Sequence, residues 1–255
     1  MDTAFIPIIV SAVSALVALG LVIGHLARVG RDTSRITELE DERRRFADRL
    51  GLAYVAGDTR GIADLPLQLF RTFSPEGVHR VASGMHEGRR VRIFDLDVAG
   101  SWSGMDRGIG FWRHHCALVE TGVRRPTTVI DPVDRLDRLM GVRRASLGLG
   151  DRRFDRRYRL SCEDPPWLTR VLDADLRAWL LRKAPDVRFE IADDLVVASR
   201  PWVDRPSLTK YPGMIPYWLG VRPTTPPLEE VKSFLSLLDT RDLGIAGGSG
   251  RSAAT

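Results

Sequence analysis

VHRVASGMHEGRRVRIFDLDV, residues 78–98, decides the fold. Two runs rich in β-branched and aromatic residues flank His86-Glu87-Gly88, a turn signal. That pattern predicts a β-hairpin of VHRVASGM (78–85) and RRVRIFDLDV (89–98). In the second run Val91 and Ile93 follow one alternation, while Phe94, Leu96 and Val98 follow the other. A β-bulge or strand corner in that run would produce such a phase change.

Working outward, hairpins dominate. GFWRHHCALVET (110–121) and PTTVIDP (126–132) read as a third and a fourth strand, after a Gly/Ser loop at 99–110. VDRLDRLMG (133–141) reads as a short helix and RRFDRRYRLS (152–161) as a strand. On that strand Phe154, Tyr158 and Leu160 would face the core, and Arg153, Asp155, Arg157 and Arg159 the solvent. PPWLTRVLDADLRAWLLRKA reads as one helix capped by Asp164. VRFEIADDLVVAS (187–199) reads as a strand pair around Asp193-Asp194, and LEEVKSFLSLLDTR (228–241) as a last amphipathic helix. Strand–helix–strand alternation is not regular. The fold class is therefore α+β, an antiparallel-sheet domain packed with helices, and not a doubly wound nucleotide fold.

From Thr3 to Ala27 there are 25 residues without Asp, Glu, Lys or Arg. As a helix they would span roughly 37 Å, enough for a bilayer core of about 30 Å. The apolar run is too long, and its n-region too acidic, for a secretory signal peptide. A transmembrane anchor is expected over 1–28, followed by a juxtamembrane helix and turn over 29–62. Arg28, Arg31 and Arg35 follow the span, and only Asp2 and the amino terminus precede it. The positive-inside rule places the N-terminus outside and the bulk of the chain in the cytoplasm of a cell-membrane protein. Gly20 and Gly24 form a GxxxG spacing, the contact expected for any weak homodimer. The cytoplasmic α+β domain is expected over 63–243, with a halfway break at 146/147, and a disordered tail over 244–255. KYPGMIPYWLGVRP (210–223) is Pro- and aromatic-rich and is expected to cover the core of its own domain, with docking on a membrane or partner as the alternative.

Composition narrows function. The net charge is +5, but acids are interleaved with the arginines and no run of six like charges occurs, which argues against nucleic acid. Cys116 and Cys162 alone do not make a disulfide framework. No P-loop, GxGxxG, GxSxG, HExxH or CxxC pattern is present.

FWRHHCALV (111–119) holds the densest chemistry. Strand alternation splits His114 from His115 and leaves His114 with Cys116 on one side. Two ligands fall short of the three or four that zinc requires, so no metal and no cofactor are assigned. Asp95 and Asp97 likewise share a strand face, where paired carboxylates can bind Mg²⁺ or move protons. A solvent-facing or loop-capping role is the expectation for both. No catalytic residue is assigned.

Two motifs carry a resemblance. SGMHEGRRVRIFDLDV (83–98) and LGDRRFDRRYRLSCED (149–164) resemble paired GxxxGR…FD and GD…FD patterns of an uncharacterised, actinobacterial-type family of small membrane-anchored proteins. Gly84, Gly88, Arg89, Phe94, Asp95, Gly150, Asp151, Phe154, Asp155 and Asp164 match; Leu96 and Tyr158 depart from its aromatic and Phe. The resemblance implies a membrane helix and a cytoplasmic domain, and brings no activity. The motif residues read as structural: turns, core aromatics and caps. The expected function is a single-pass membrane protein presenting a non-catalytic interaction module to a protein or lipid surface. The alternative is a tethered metal-dependent or hydrolytic enzyme on the His114/Cys116 strand or on Asp95/Asp97.

Overall fold

A computed structural model of the chain describes residues 37–57, 61–72, 75–99, 111–133, 146–202 and 226–248. The expected anchor over 1–28, the 99–110 loop, the 133–141 helix and the 210–223 segment fall wholly or largely outside these residues. Among the described residues no helix is long and apolar enough to cross a membrane. The chain divides into two compact units, Met1–Phe46 and Ala47–Thr255. Helix α1 (37–49) stops before Gly51, whose φ of +68° suits a C-terminal glycine.

The elements that follow are β1 (Ala53–Val55), α2 (Gln68–Thr72), β2 (Pro75–His86), β3 (Arg89–Ala99), β4 (Phe111–Pro132), α3 (Arg152–Asp155), β5 (Tyr158–Cys162), α4 (Pro165–Val171), α5 (Ala174–Lys183), β6 (Arg188–Trp202) and α6 (Leu228–Gly248). Among the described residues the architecture is α+β with a six-stranded antiparallel sheet. β2 and β3 form the expected hairpin. Glu87 and Gly88, at φ +49° and +77°, give the two left-handed residues of a type I′ turn.

β4 is the spine. Its first half pairs with β3 and its second half with β5, while β6 runs along its other edge from Arg113↔Trp202 to Ile130↔Phe189. The expected third and fourth strands are thus one 22-residue strand, and the expected 187–199 strand pair is one 15-residue strand. Kinks stand in place of the expected turns. Gly122 in β4 and Asp193 in β6 take φ of +69° and +58°, and the register shifts between Glu120 and Thr128. Pairing across β4 joins the expected halves 63–146 and 147–243 into one sheet.

Both sheet faces are covered. Phe94, Leu96, Cys116, Leu118 and Val197 pack with Ile62, Leu67, Leu69 and Phe70 from the α2 segment. On the opposite face α6 lies against β4 and β6, and its Phe234 stacks on Phe189 with ring centroids 4.4 Å apart. Two-sided burial explains the double alternation in β3. Ile93 and Phe94 are both fully buried and β3 stays in continuous register with β4. The bulge lies in β2 instead, where Arg80 and Val81 oppose Phe94.

Two local expectations are corrected by capping, and a third by the length of α6. Asp151 accepts from the amide groups of Arg153 and Phe154, so 152–155 is a helical turn and not the start of a strand. Asp173 accepts from the Leu176 amide and starts α5, which splits the expected single helix after Val171. α6 continues to Gly248, into the segment read as a tail; low-complexity composition does not mark where a helix ends.

Ion pairs pin α6 to the sheet and to α5. Asp239 takes Arg89 at 2.7 Å and Arg125 at 2.6 Å, Lys232 reaches Glu87 at 2.6 Å, and Arg241 grips Asp173 through two 2.8 Å hydrogen bonds. Apolar burial outweighs any one of these. Phe234→Ala is expected to cost about 3–5 kcal/mol in urea unfolding. Lys232→Ala should cost no more than about 1 kcal/mol. Equal losses would contradict the packing assignment of α6.

Candidate functional site: a buried polar row across the sheet

Four strands place polar residues in one row. Cross-strand register sets His79 opposite Asp95, Asp95 opposite His115 and His115 opposite Arg200. The β2 bulge adds Arg80 to that row. At φ +50° its backbone is left-handed, which costs an L-residue roughly 1–2 kcal/mol. The distortion puts Val81 into the apolar cluster beside Phe94 and frees Arg80 for the face of Asp95.

Asp95 is the centre. Arg80 Nε donates to its Oδ2 and His115 Nδ1 to its Oδ1, each at 2.6 Å. All three residues are buried, Asp95 to 2% exposure. A carboxylate only accepts, so this geometry puts an imidazole hydrogen on Nδ1. At the far end Arg200 Nη2 donates to Glu230 of α6 at 2.6 Å.

A second polar cluster lies on the other face. Arg188 Nη2 donates to Glu190 at 3.1 Å, and its Nη1 stands 3.6 Å from Asp131. Glu190, fully buried, accepts from the Gln68 amide, and from the Leu69 amide at 2.9 Å. A carboxylate thus satisfies the first N–H groups of α2 and stabilises its positive end. His114 faces this side. Burial, and then the charges of Arg188 and His115, push its pKa down to about 3.

The residues singled out for chemistry divide by their position in the sheet. His114 and Cys116 share a face as alternation requires. Cys116 is sealed in the apolar cluster, its thiol directed at the His114 carbonyl 3.8 Å away. Among the described residues no group of three or more His, Cys, Asp or Glu side chains is placed to hold a metal ion. Asp95 is not the solvent-facing or loop-capping carboxylate expected of it; it is a buried counter-ion. Cys162 meets Thr128 Oγ1 at 3.0 Å and the Asp164 backbone.

The two motifs supply structure at nearly every matched position. Gly88 forms the turn and Gly150 takes φ +76°. A Cβ on Gly84 would lie 3.1 Å from Leu52. Arg89 holds Asp239, and Phe94 and Phe154 are core residues. Asp151 and Asp164 are N-caps, and Asp155 accepts from the Leu149 amide at 3.1 Å. Tyr158 stacks on Phe154, and its hydroxyl is directed at the Leu180 and Ala184 carbonyls at the end of α5. Burial raises the pKa of that hydroxyl.

Sequence patterns did not single out His115, Arg80 or Glu190. Alternation assigned His115 to a face without revealing that Asp95 sits opposite. Register across a long connection is not written in either strand. The one available signal was an acid within an apolar run, VRFEIA for Glu190.

Comparison with known proteins adds little. No protein-family model and no curated protein matches the chain. Among solved structures, the crystal structure of the mycobacterial trehalose monomycolate transport factor A, TtfA, is similar at 12% identity and a TM-score of 0.46. The match covers 73% of this chain and 98% of that one. A TM-score of that size carries no functional weight.

Two outcomes follow from the buried charges. Asp95→Asn leaves Arg80 buried beside a neutral amide and is expected to cost about 3–5 kcal/mol by chemical denaturation. A loss under about 1 kcal/mol would show Asp95 to be solvated. For His114, between pH 6.5 and about 3 the unfolded chain holds a proton that the folded chain lacks. Its contribution is complete above pH 6.5 and is lost as pH falls, by about 2 kcal/mol at pH 5. His114→Leu should remove about one proton from the stability slope between pH 6 and pH 4; an unchanged slope would contradict the burial of a neutral ring.

Proposed function

We propose that the chain is a single-pass membrane protein whose α+β domain lies on the cytoplasmic side as a non-catalytic interaction module. The observation that carries this reading is the uncharged stretch from Thr3 to Ala27, with arginines only on its C-terminal side. The use made of the polar groups supports the second part. Asp95 holds Arg80 and His115, and Glu190 holds Arg188 and the start of α2. These are arrangements that fix a fold. The enzymatic alternative has less support, because Cys116 is fully buried and Asp95 is only 2% exposed. A nucleophile or acid–base group must reach substrate.

The full chain is expected to stay with membranes through alkaline carbonate extraction. A C-terminal alkaline phosphatase fusion should be inactive and a C-terminal green fluorescent fusion bright. An active phosphatase fusion would reverse the topology, and release by carbonate would remove the span. Loss of a measured turnover in the full chain on Cys116→Ser, at unchanged stability, would favour the enzyme.

A further inference from the structure

Resting on that tethered reading, we propose that the face formed by Arg152, Arg153 and Arg156 docks on anionic phospholipid headgroups. Read as a strand, RRFDRRYRLS (152–161) alternates charge and spreads it along an edge. The Asp151 cap folds its start into a helical turn and redistributes the arginines. Arg157 turns away to Asp186, at 2.7 Å, and to the Pro185 carbonyl. Asp155 turns inward to the Leu149 amide. Asp151 is engaged by the amides it caps and by Arg177 at 3.5 Å.

Arg152, Arg153 and Arg156 are left together. All three are exposed, and together they are the described lining of a recess of about 580 Å³. Among the described residues their side chains make no hydrogen bond and no ion pair, in contrast with Arg80, Arg125, Arg157, Arg188, Arg200 and Arg241. Three guanidinium forks without a carboxylate partner match phosphate oxygens in charge and geometry.

A free phosphate compound and a lipid headgroup offer the same chemistry, and the tether selects the lipid. It holds the domain near a bilayer surface and makes docking effectively intramolecular. Each basic side chain near an anionic leaflet contributes about a fivefold preference, or on the order of a hundredfold for three. The attraction should fade within a Debye length as salt rises.

The test uses the full chain in bilayer nanodiscs of phosphatidylcholine, with or without phosphatidylglycerol, read by amide hydrogen exchange over residues 149–157. Exchange is expected to slow at least about fivefold in anionic discs, to recover at high salt, and to ignore lipid charge in R152Q/R153Q/R156Q. The lysine variant R152K/R153K/R156K should keep most of the response, which separates loss of charge from loss of fold. Equal exchange in neutral and anionic discs would overturn the proposal, as would an unchanged response in the glutamine variant. Equal protection by inorganic phosphate in neutral discs would replace the membrane with a soluble phosphate ligand. Carbonate extraction reads the tether separately. If the tether fails, flotation of the chain with phosphatidylglycerol vesicles still reads the patch.

Discussion

A strand hydrogen-bonded along both edges and buried on both faces is the constraint on which this fold depends. β4 meets β3 and β5 along one edge and β6 along the other, and residues 114–119 are buried without a break. Such a strand must be apolar on both sides or must supply a partner for each polar group it carries. His114 and His115 are the polar exceptions. His115 is answered by Asp95 across the β3–β4 pairing, and His114 is held as a buried neutral ring.

The same constraint reaches outward. Burying Asp95 calls for positive partners, and the β2 bulge delivers Arg80 through a left-handed residue. Continuing the β4–β6 ribbon past Gly122 and Asp193 brings Glu190 to the first amides of α2. The apolar cluster beneath α2 is therefore closed by an acid from a strand more than a hundred residues away. Among the described residues, Arg80, Asp95, His115, Arg188 and Glu190 bond to one another or to α2 across this sheet. The exposed arginines in and just after α3 are a different class, placed by a local cap and left without a partner among the described residues.

Much was legible locally. The β2–β3 hairpin, the α+β class, the last helix and the Asp164 cap each rest on short-range signals: a Gly turn, alternating apolar residues, a 3.6-residue stripe, a side chain before Pro-Pro. Three local readings failed for one reason. Asp151, Asp173 and Asp193 were each compatible with a cap, a turn or a kink. Only the final position of Phe154, Leu176 and the β4 partner strand selected among them. The double alternation in β3 was a real signal assigned to the wrong cause: a sheet covered on both faces erases the phase that a half-exposed sheet would keep.

By itself, the sequence determined the hairpin, the irregular order of strands and helices, the uncharged N-terminal stretch with its one-sided arginines, and the opposite faces on which His114 and His115 stand. Those properties depend on neighbours within a few residues, or on the fixed period of a strand. Tertiary structure alone decided that Asp95 stands opposite His115, that Glu190 reaches α2, and that three arginines of one charged run gather while a fourth is neutralised by Asp186. Register and capping are settled by the burial of whole faces, a sum over many distant contacts that no local stretch records.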